Sequence, residues 1–310
     1  MTNVAATDVL VVGGGPAGSA AAWWLADAGH DVTLVEREVM PRERPCGDAL
    51  TPFAVDQLVA MQVHDDLAEA HRTSGIRLSA HGRSMEMPWP ADTGITHHGL
   101  TIRRRELDRR LLDHAARRGA TVWTGVHATE PIVEHGHLRG AALEGDTDSA
   151  EIRARFVVIA DGPLSHFGRA LGTARSRTFA MGIASRAYFR SAHHDEPWIE
   201  SGFDLRDNTG EQLPGYGWVF PLGDGSVNVG VGLLSHHHGS EAIAPAVLFE
   251  QWMRQLPSRW EIDPEDQLSE LVGGRLPMGA SDRMRGWFRD GPKPRGNIRM
   301  QIDIDPQSFV

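Results

Sequence analysis

The sequence predicts an α/β protein in which a parallel, helix-wound layer is interleaved with an antiparallel, β-rich second domain. Three observations carry this. The first 37 residues read strand–helix–strand, a strongly amphipathic helix spans 103–119, and residues 178–234 alternate between apolar and polar positions. A chain of 310 residues is also long for a single core.

The elements follow in chain order. "DVLVVGGG" (8–15) is a short β-branched run ended by glycines, as buried parallel strands are. "PAGSAAAWWLADAG" (16–29) opens with a proline and closes on Gly29, which are helix start and stop signals. "DVTLVER" (31–37) returns as a second strand. "TPFAVDQLVAMQV" (51–63) reads as a helix capped by Thr51 with Pro52 in its first position. Residues 75–88 alternate as strands, and residues 120–145 suggest short antiparallel strands joined by glycine turns. "RARFVVIADG" (153–162) is another buried strand ending on Asp-Gly, and 240–257 reads as a helix. This pattern divides the chain into a first domain at 1–74 and 101–175, a second at 75–100 and 176–279, and an atypical tail at 280–310.

Composition narrows the function classes. A net charge of −10 argues against nucleic acid, because phosphate binding needs a basic surface. The single cysteine, Cys46, excludes an internal disulfide and fits a reducing cytoplasm. The start "MTNVAATDVLVVGGG" has no basic leader, and no run approaches the roughly 18–20 apolar residues of a membrane span. The histidine pairs at 97–98 and 193–194 and the triplet at 236–238 lack the spacing of a metal site. They read as water-exposed loop residues, and no metal is expected.

The chemistry-bearing motif is "GGGPAG", which places Gly13, Gly15 and Gly18 as G-x-G-x-x-G. The first glycine permits the tight turn, the second lets backbone approach a diphosphate, and the third lets helix pack on strand. The helix N-terminus behind them offers unpaired N–H groups to anionic oxygen. Glu36 ends the second strand, where a carboxylate can accept hydrogen bonds from a ribose. Spacing alone leaves the dinucleotide open. In "GYGWVFP" (215–221), Tyr216, Trp218 and Phe220 alternate and so share one strand face. That face is either a core cluster or the wall of an apolar cavity.

Five ordered segments together resemble the geranylgeranyl reductase family of flavoproteins, and within it an actinobacterial menaquinone reductase branch. They are "VVGGGPAGSAAAWWLADAGHDVTLVER", "PCGDALTP", "RRELD", "VVIADGPLSHFGRALG" and "LPGYGWVFPLGDGSVNVGVG", and the likeness runs from residue 7 to about 279. One departure is that Pro214 stands two residues before the tyrosine, where the family pattern has three. The resemblance implies a Rossmann-like domain binding FAD much as aromatic hydroxylases do, interleaved with a substrate domain. It implies that Ala17 and Glu36 contact diphosphate and ribose, and that Cys46, Gly47 and Ala49 line the flavin side. Arg104 of the R-x-x-L-D pattern would reach the diphosphate, and Ala128 the adenine through its backbone. Asp161 and Gly162 match the Asp-Gly motif beside the cofactor's diphosphate.

The implied activity is saturation of isoprenoid C=C bonds in a geranylgeranyl or menaquinone side chain. An unpolarised alkene needs a proton as well as a hydride, so Cys46 is a candidate donor or positioning group. Tyr216 and Trp218 are catalytic candidates and, with Phe220, candidate substrate contacts; aromatic faces hold an apolar chain and stabilise developing positive charge. NADPH and ferredoxin are both open as electron donor. A lipid substrate implies a cytoplasmic protein touching the inner membrane face, with Trp89 and Trp198 as candidate anchors.

Two other classes share these motifs. One is an FAD-dependent aromatic monooxygenase. A halogenase resemblance would require an active-site lysine, and none precedes Lys293. The other is a flavin- or lipid-binding fragment without activity. The family carries a Gly-Asp-Ala segment soon after "GGRLPMG" (273–279), whereas this chain runs on with its only lysine and a cluster of isoleucines. On that basis weak FAD retention is expected.

Overall fold

The computed structural model describes residues 4–91, 94, 96–146, 149–162, 164–172, 180–234 and 244–278. The chain forms two compact units. One comprises 1–42 and 105–177, and the other 43–104 and 178–279. The segment 43–74, which the sequence pattern placed with the first domain, therefore clusters with the second. The tail expectation falls on residues 279–310, outside the described residues.

In chain order the first unit begins with β1 (Val4–Val12), α1 (Pro16–Asp27) and β2 (Val32–Glu36). The second unit then contributes β3 (Ala49–Leu50), α2 (Pro52–Ala60), β4 (His71–Thr73), β5 (Gly75–Ala80), β6 (Arg83–Pro88) and β7 (Gly99–Thr101). α3 (Arg104–Arg117) leads back to the first unit, which continues with β8 (Thr121–Thr124), β9 (Val126–Glu134), β10 (His137–Gly145), β11 (Glu151–Ile159) and α4 (His166–Ala170). The rest of the second unit is β12 (Ala180–Arg190), β13 (Trp198–Gly202), β14 (Gly215–Pro221), β15 (Ser226–Leu234), α5 (Pro245–Gln255) and β16 (Val272–Met278).

The first unit is a six-stranded sheet ordered β8-β2-β1-β11-β10-β9. β8, β2, β1 and β11 run parallel, and the β9–β10 hairpin extends the sheet in antiparallel fashion. "ATVWTG", expected as an antiparallel strand, is thus the parallel edge strand β8, paired to β2 from Thr33–Thr121 to Glu36–Thr124. Its short, mixed sequence carries no mark of its partner, which is supplied by a strand some ninety residues earlier. Leu10, Val12, Val35, Ile152, Val157 and Phe167 fill the core. Each such buried side chain contributes roughly 1.5–3 kcal/mol. Trp23 of α1 stacks on His114 of α3 at 5.7 Å and 9°.

The second unit holds a seven-stranded sheet ordered β16-β12-β15-β14-β13-β5-β6 and a three-stranded sheet β3-β7-β4. Thr51 caps α2 as read, accepting a hydrogen bond from the Ala54 N–H. One face of the large sheet packs Val219, Val227, Val229 and Val231 against Leu248, Phe249 and Trp252 of α5 and against Trp260. The other face carries Ala184, Ile199, Trp218 and Phe220, with Ala49 laid on them. Trp89 packs on this second cluster and Trp198 lies against Gly75. Both tryptophans are half-buried, which does not fit the exposed anchors expected of them.

Candidate functional site

The first unit gathers the glycine motif, Glu36 and the Asp-Gly motif at the ends of β1, β2 and β11. The mutual contacts are tight. A Cβ at Gly13 would stand 2.3 Å from the Ala160 carbonyl oxygen, and one at Gly18 only 1.8 Å from the Gly13 oxygen. Gly13 also adopts φ +106, which L side chains rarely take. Asp161 therefore lies directly beside the glycine turn. Its Oδ2 accepts the Phe167 N–H at 3.1 Å, while its buried Oδ1 has no hydrogen-bond partner among the described residues. The Glu36 carboxylate is fixed by the N–H groups of Gly14 (2.6 Å) and Glu38 (3.0 Å).

Gly15 differs from its neighbours. It is the N-cap of α1 with φ −78 and ψ −176, a conformation open to any residue. The nearest atom to a Cβ there is Arg42 Nη2 at 3.5 Å. Gly15, Pro16 and Ala17 are only partly covered. Nothing among the described residues demands a glycine here, and a diphosphate against the backbone has room. Together with the unpartnered Asp161 oxygen, this is a cradle with room and unspent polar groups for a dinucleotide. Ala128 is buried in β9, paired with Leu143, and turns its side chain into the core, which leaves only its backbone for a ligand.

Two residues that sequence reasoning missed complete this half. Arg42 reaches Asp108 Oδ2 at 2.6 Å and Glu36 Oε2 at 3.5 Å, with both carboxylates almost fully buried. Asp108 is the aspartate of the R-x-x-L-D pattern, in which Arg104 drew the attention. Arg104 itself is buried in the second unit, and its backbone N–H donates to Asp48 Oδ1 at 2.7 Å.

In the second unit the thiol loop and the aromatic strand meet. Tyr216, Trp218 and Phe220 form a row with successive ring centroids 5.8 Å apart, which Phe203 extends by a further 5.8 Å. Cys46 is half-buried, and a Cβ on the next residue, Gly47, would come within 2.9 Å of the Phe220 ring. Trp218 and Phe220 are buried, with Ala49 packed against them, while Tyr216 stays half-covered. Burial pushes the Tyr216 phenol up, and the charge of neighbouring Cys46 adds to the rise.

The loop is tied down at both ends by buried polar groups. Arg186, fully buried on β12, donates to Glu43 Oε2 at 2.6 Å and to the Arg44 carbonyl at 2.8 Å. Asp48 accepts the Asn228 amide at 2.7 Å. Burial raises the Asp48 carboxyl above its usual range, against the opposing pull of Arg186 and of these hydrogen bonds. The Tyr188 ring lies between the guanidinium groups of Arg103 and Arg186, at 4.4 and 4.6 Å. Among the described residues no group of three or more His, Cys, Asp or Glu is placed to hold a metal. His97 is exposed, whereas His98, His193 and His194 are half-buried rather than free in water, and 236–238 lie outside the described residues.

Comparison with known proteins places these motifs in a family. The FAD binding domain family matches residues 6–200. Menaquinone reductase of Mycobacterium tuberculosis is 38% identical over 274 residues, covering 88% of this chain and 66% of its own length. Digeranylgeranylglycerophospholipid reductase 1 of Methanopyrus kandleri is 32% identical over 273 residues, covering 86% of this chain and 65% of its own. The chain thus spans slightly less than two thirds of these relatives. A crystal structure of a geranylgeranyl bacteriochlorophyll reductase-like protein from Thermoplasma acidophilum superposes with TM-score 0.75 at 23% identity, over 96% of this chain and 71% of that one. At that identity the superposition speaks for the fold.

Proposed function

Because the chain belongs to the FAD-binding domain family and its cofactor is FAD, we propose that it works as an FAD-dependent reductase of isoprenoid C=C bonds, in a menaquinone or geranylgeranyl side chain. The observation that carries this reading is the contact between the thiol loop and the aromatic row. The chain's only cysteine is flanked by Gly47, which is set against Phe220 in the row that Tyr216 and Trp218 continue. The names of the reductase relatives support the same substrate class.

Gly13, Gly15, Ala17, Gly18, Glu36, Asp161 and Gly162 would hold the adenosine diphosphate half, with Arg42 and Asp108 fixing the Glu36 carboxylate. Ala128 and Arg104 complete the cofactor contacts in this proposal, as do Cys46, Gly47 and Ala49 on the flavin side. When bound and reduced, FAD supplies a hydride. Cys46 Sγ–H gives the proton to the other carbon of the double bond and is reprotonated from solvent. Tyr216, the half-covered ring, orients the isoprenoid and stabilises charge developing at the substituted carbon, and the buried Trp218 indole holds it from behind. Phe220, more deeply buried, backs this wall. A lipid substrate brings the protein to a membrane surface, and we place it on the cytoplasmic face. No helix among the described residues is long and apolar enough to cross a bilayer.

The test is anaerobic incubation of FAD-loaded, chemically reduced protein with menaquinone or a geranylgeranyl lipid. A product heavier by two hydrogens per saturated bond is expected by mass spectrometry. Oxygen-dependent NADPH consumption with an aromatic substrate, and no such product, would replace this reading by a monooxygenase. Cys46→Ala should lower turnover about 100-fold or more with flavin still bound. Unchanged turnover removes the thiol from the mechanism.

A further inference from the structure

A buried polar chain joins the thiol loop to the aromatic row. Trp218 Nε1–H donates to Asn228 Oδ1 at 2.9 Å, and Asn228 Nδ2–H donates to Asp48 Oδ2 at 2.7 Å. Asp48 Oδ1 in turn accepts the Arg104 N–H at 2.7 Å. All three side chains are nearly or fully buried: Trp218 at 5%, Asn228 at 0% and Asp48 at 2% exposure.

The polarity of the chain is forced. An indole N–H only donates, so the amide must turn its Oδ1 to Trp218 and its Nδ2 to Asp48. Asn228 pairs with Phe220 across β14–β15 and with Tyr188 across β12–β15, which places it in the middle of the sheet face under the loop. Gly230, opposite Trp218, leaves the space the indole occupies, since a Cβ there would stand 2.1 Å from Cζ2 and 2.8 Å from Nε1. The indole therefore lies flat across β15 with its N–H directed at Asn228. Water does not reach these groups, so each broken bond leaves an unsatisfied buried partner.

We propose that Asp48 and Asn228 are positioning residues that couple the Cys46 loop to the Trp218 indole, so that the proton donor and the substrate wall hold one relative geometry. The functional half of this statement rests on the reductase reading. The coupling itself does not. Asp48 stands two residues beyond Cys46, and between them Gly47 lies against Phe220, so any slip of the Asp48 anchor moves the thiol. The Asn228 amide is the link that bonds to both sides.

Exchange of the two side chains tests this directly. In Asp48→Asn, the new Nδ2 must face a donor, either the Asn228 amide or the Arg104 N–H; in Asn228→Asp, two buried carboxylates face each other. The double exchange, Asp48→Asn with Asn228→Asp, restores every bond with the same kinds of atom. The amide, moved to the loop, would donate to the carboxylate, moved to the strand, and that carboxylate would still accept the indole N–H. Cys46 is the only cysteine, so the rate of its reaction with a maleimide in the lipid-free protein reads this loop alone.

Each single exchange should speed labelling about tenfold, and the double exchange should return it to within about twofold of the parent. Glu200→Gln, which disturbs a buried carboxylate bonded to Ser79 and Trp260 on the opposite sheet face, should leave labelling unchanged. Unaltered labelling in the single variants, a double variant as fast as they are, or equal acceleration by Glu200→Gln overturns the coupling. Should the single variants fail to fold, Trp218→Phe removes the far N–H, together with part of the ring volume, while Asp48 and Asn228 stay intact, and an unchanged labelling rate there overturns it equally. In the reductase assay the single exchanges should lower kcat more than they raise KM. Coupling observed without any isoprenoid reduction refutes the reductase reading and leaves the relay standing.

Discussion

The two units use glycine for opposite purposes. In the second unit, Gly202, Gly217 and Gly230 make room for the protein's own rings: a Cβ would lie 2.5 Å and 2.1 Å from Trp252 at the first two, and 2.1 Å from Trp218 at the third. In the first unit, Gly13 and Gly18 likewise yield to nearby backbone, but at Gly15 the nearest described atom to a Cβ is Arg42 Nη2, at an ordinary 3.5 Å. A glycine in ordinary backbone geometry with free space before it is best explained by something outside the polypeptide. Spacing alone treats the three glycines of the motif as equals. The space around each separates those the fold needs from the one we assign to a ligand.

Gly15→Ser sharpens this difference most. Serine is a good N-cap in this extended conformation, so helix α1 should be as stable as before or slightly more so. Its Cβ and hydroxyl nevertheless enter the diphosphate space. FAD affinity, measured by flavin fluorescence titration, should fall about 100-fold, with the urea midpoint unchanged or raised. A loss of stability matching the loss of affinity would show that Gly15 serves the fold after all.

Gly230→Ala probes the other kind. Its methyl group must displace the Trp218 indole or the strand, at a cost of about 1–3 kcal/mol in urea unfolding. FAD affinity should fall by less than about tenfold, because the displaced indole bears on the cofactor only through the Cys46–Ala49 loop and leaves the glycine motif untouched. A fall in affinity as large as that of Gly15→Ser would erase the distinction between the two glycine classes.

How much of this was legible beforehand follows from which contacts are local. The strand–turn–helix–strand of residues 4–36 is written in a short window, as apolar run, glycine spacing and terminal carboxylate, and it stands in the fold where the sequence places it. The alternation of Tyr216, Trp218 and Phe220 likewise gave their common face. It could not show that this face is already covered by Ala49 and Gly47, since those lie well over a hundred residues away. For the same reason β8 hid its parallel partner. Arg42 was one arginine among many, and Asp108 sat unnoticed inside a quoted motif, because only their 2.6 Å contact gives them meaning. The Asp48–Asn228 bond spans 180 positions. Its one local trace is "NVGVG", where glycines alternate opposite an aromatic strand and so announce large rings across the ladder.

Gly29 marks the lower limit of the comparison. It follows α1 with φ +85, and nothing lies within 4 Å of a Cβ placed there. No group among the described residues claims that space, so its glycine serves the backbone angle. Gly29→Ala should then cost only about 1 kcal/mol, the penalty of holding an L residue in the left-handed region. FAD affinity and Cys46 labelling should both remain at parental values. A measurable change in either would mean that the end of α1 transmits strain to its N-terminus, and that glycines cannot be sorted by local space alone.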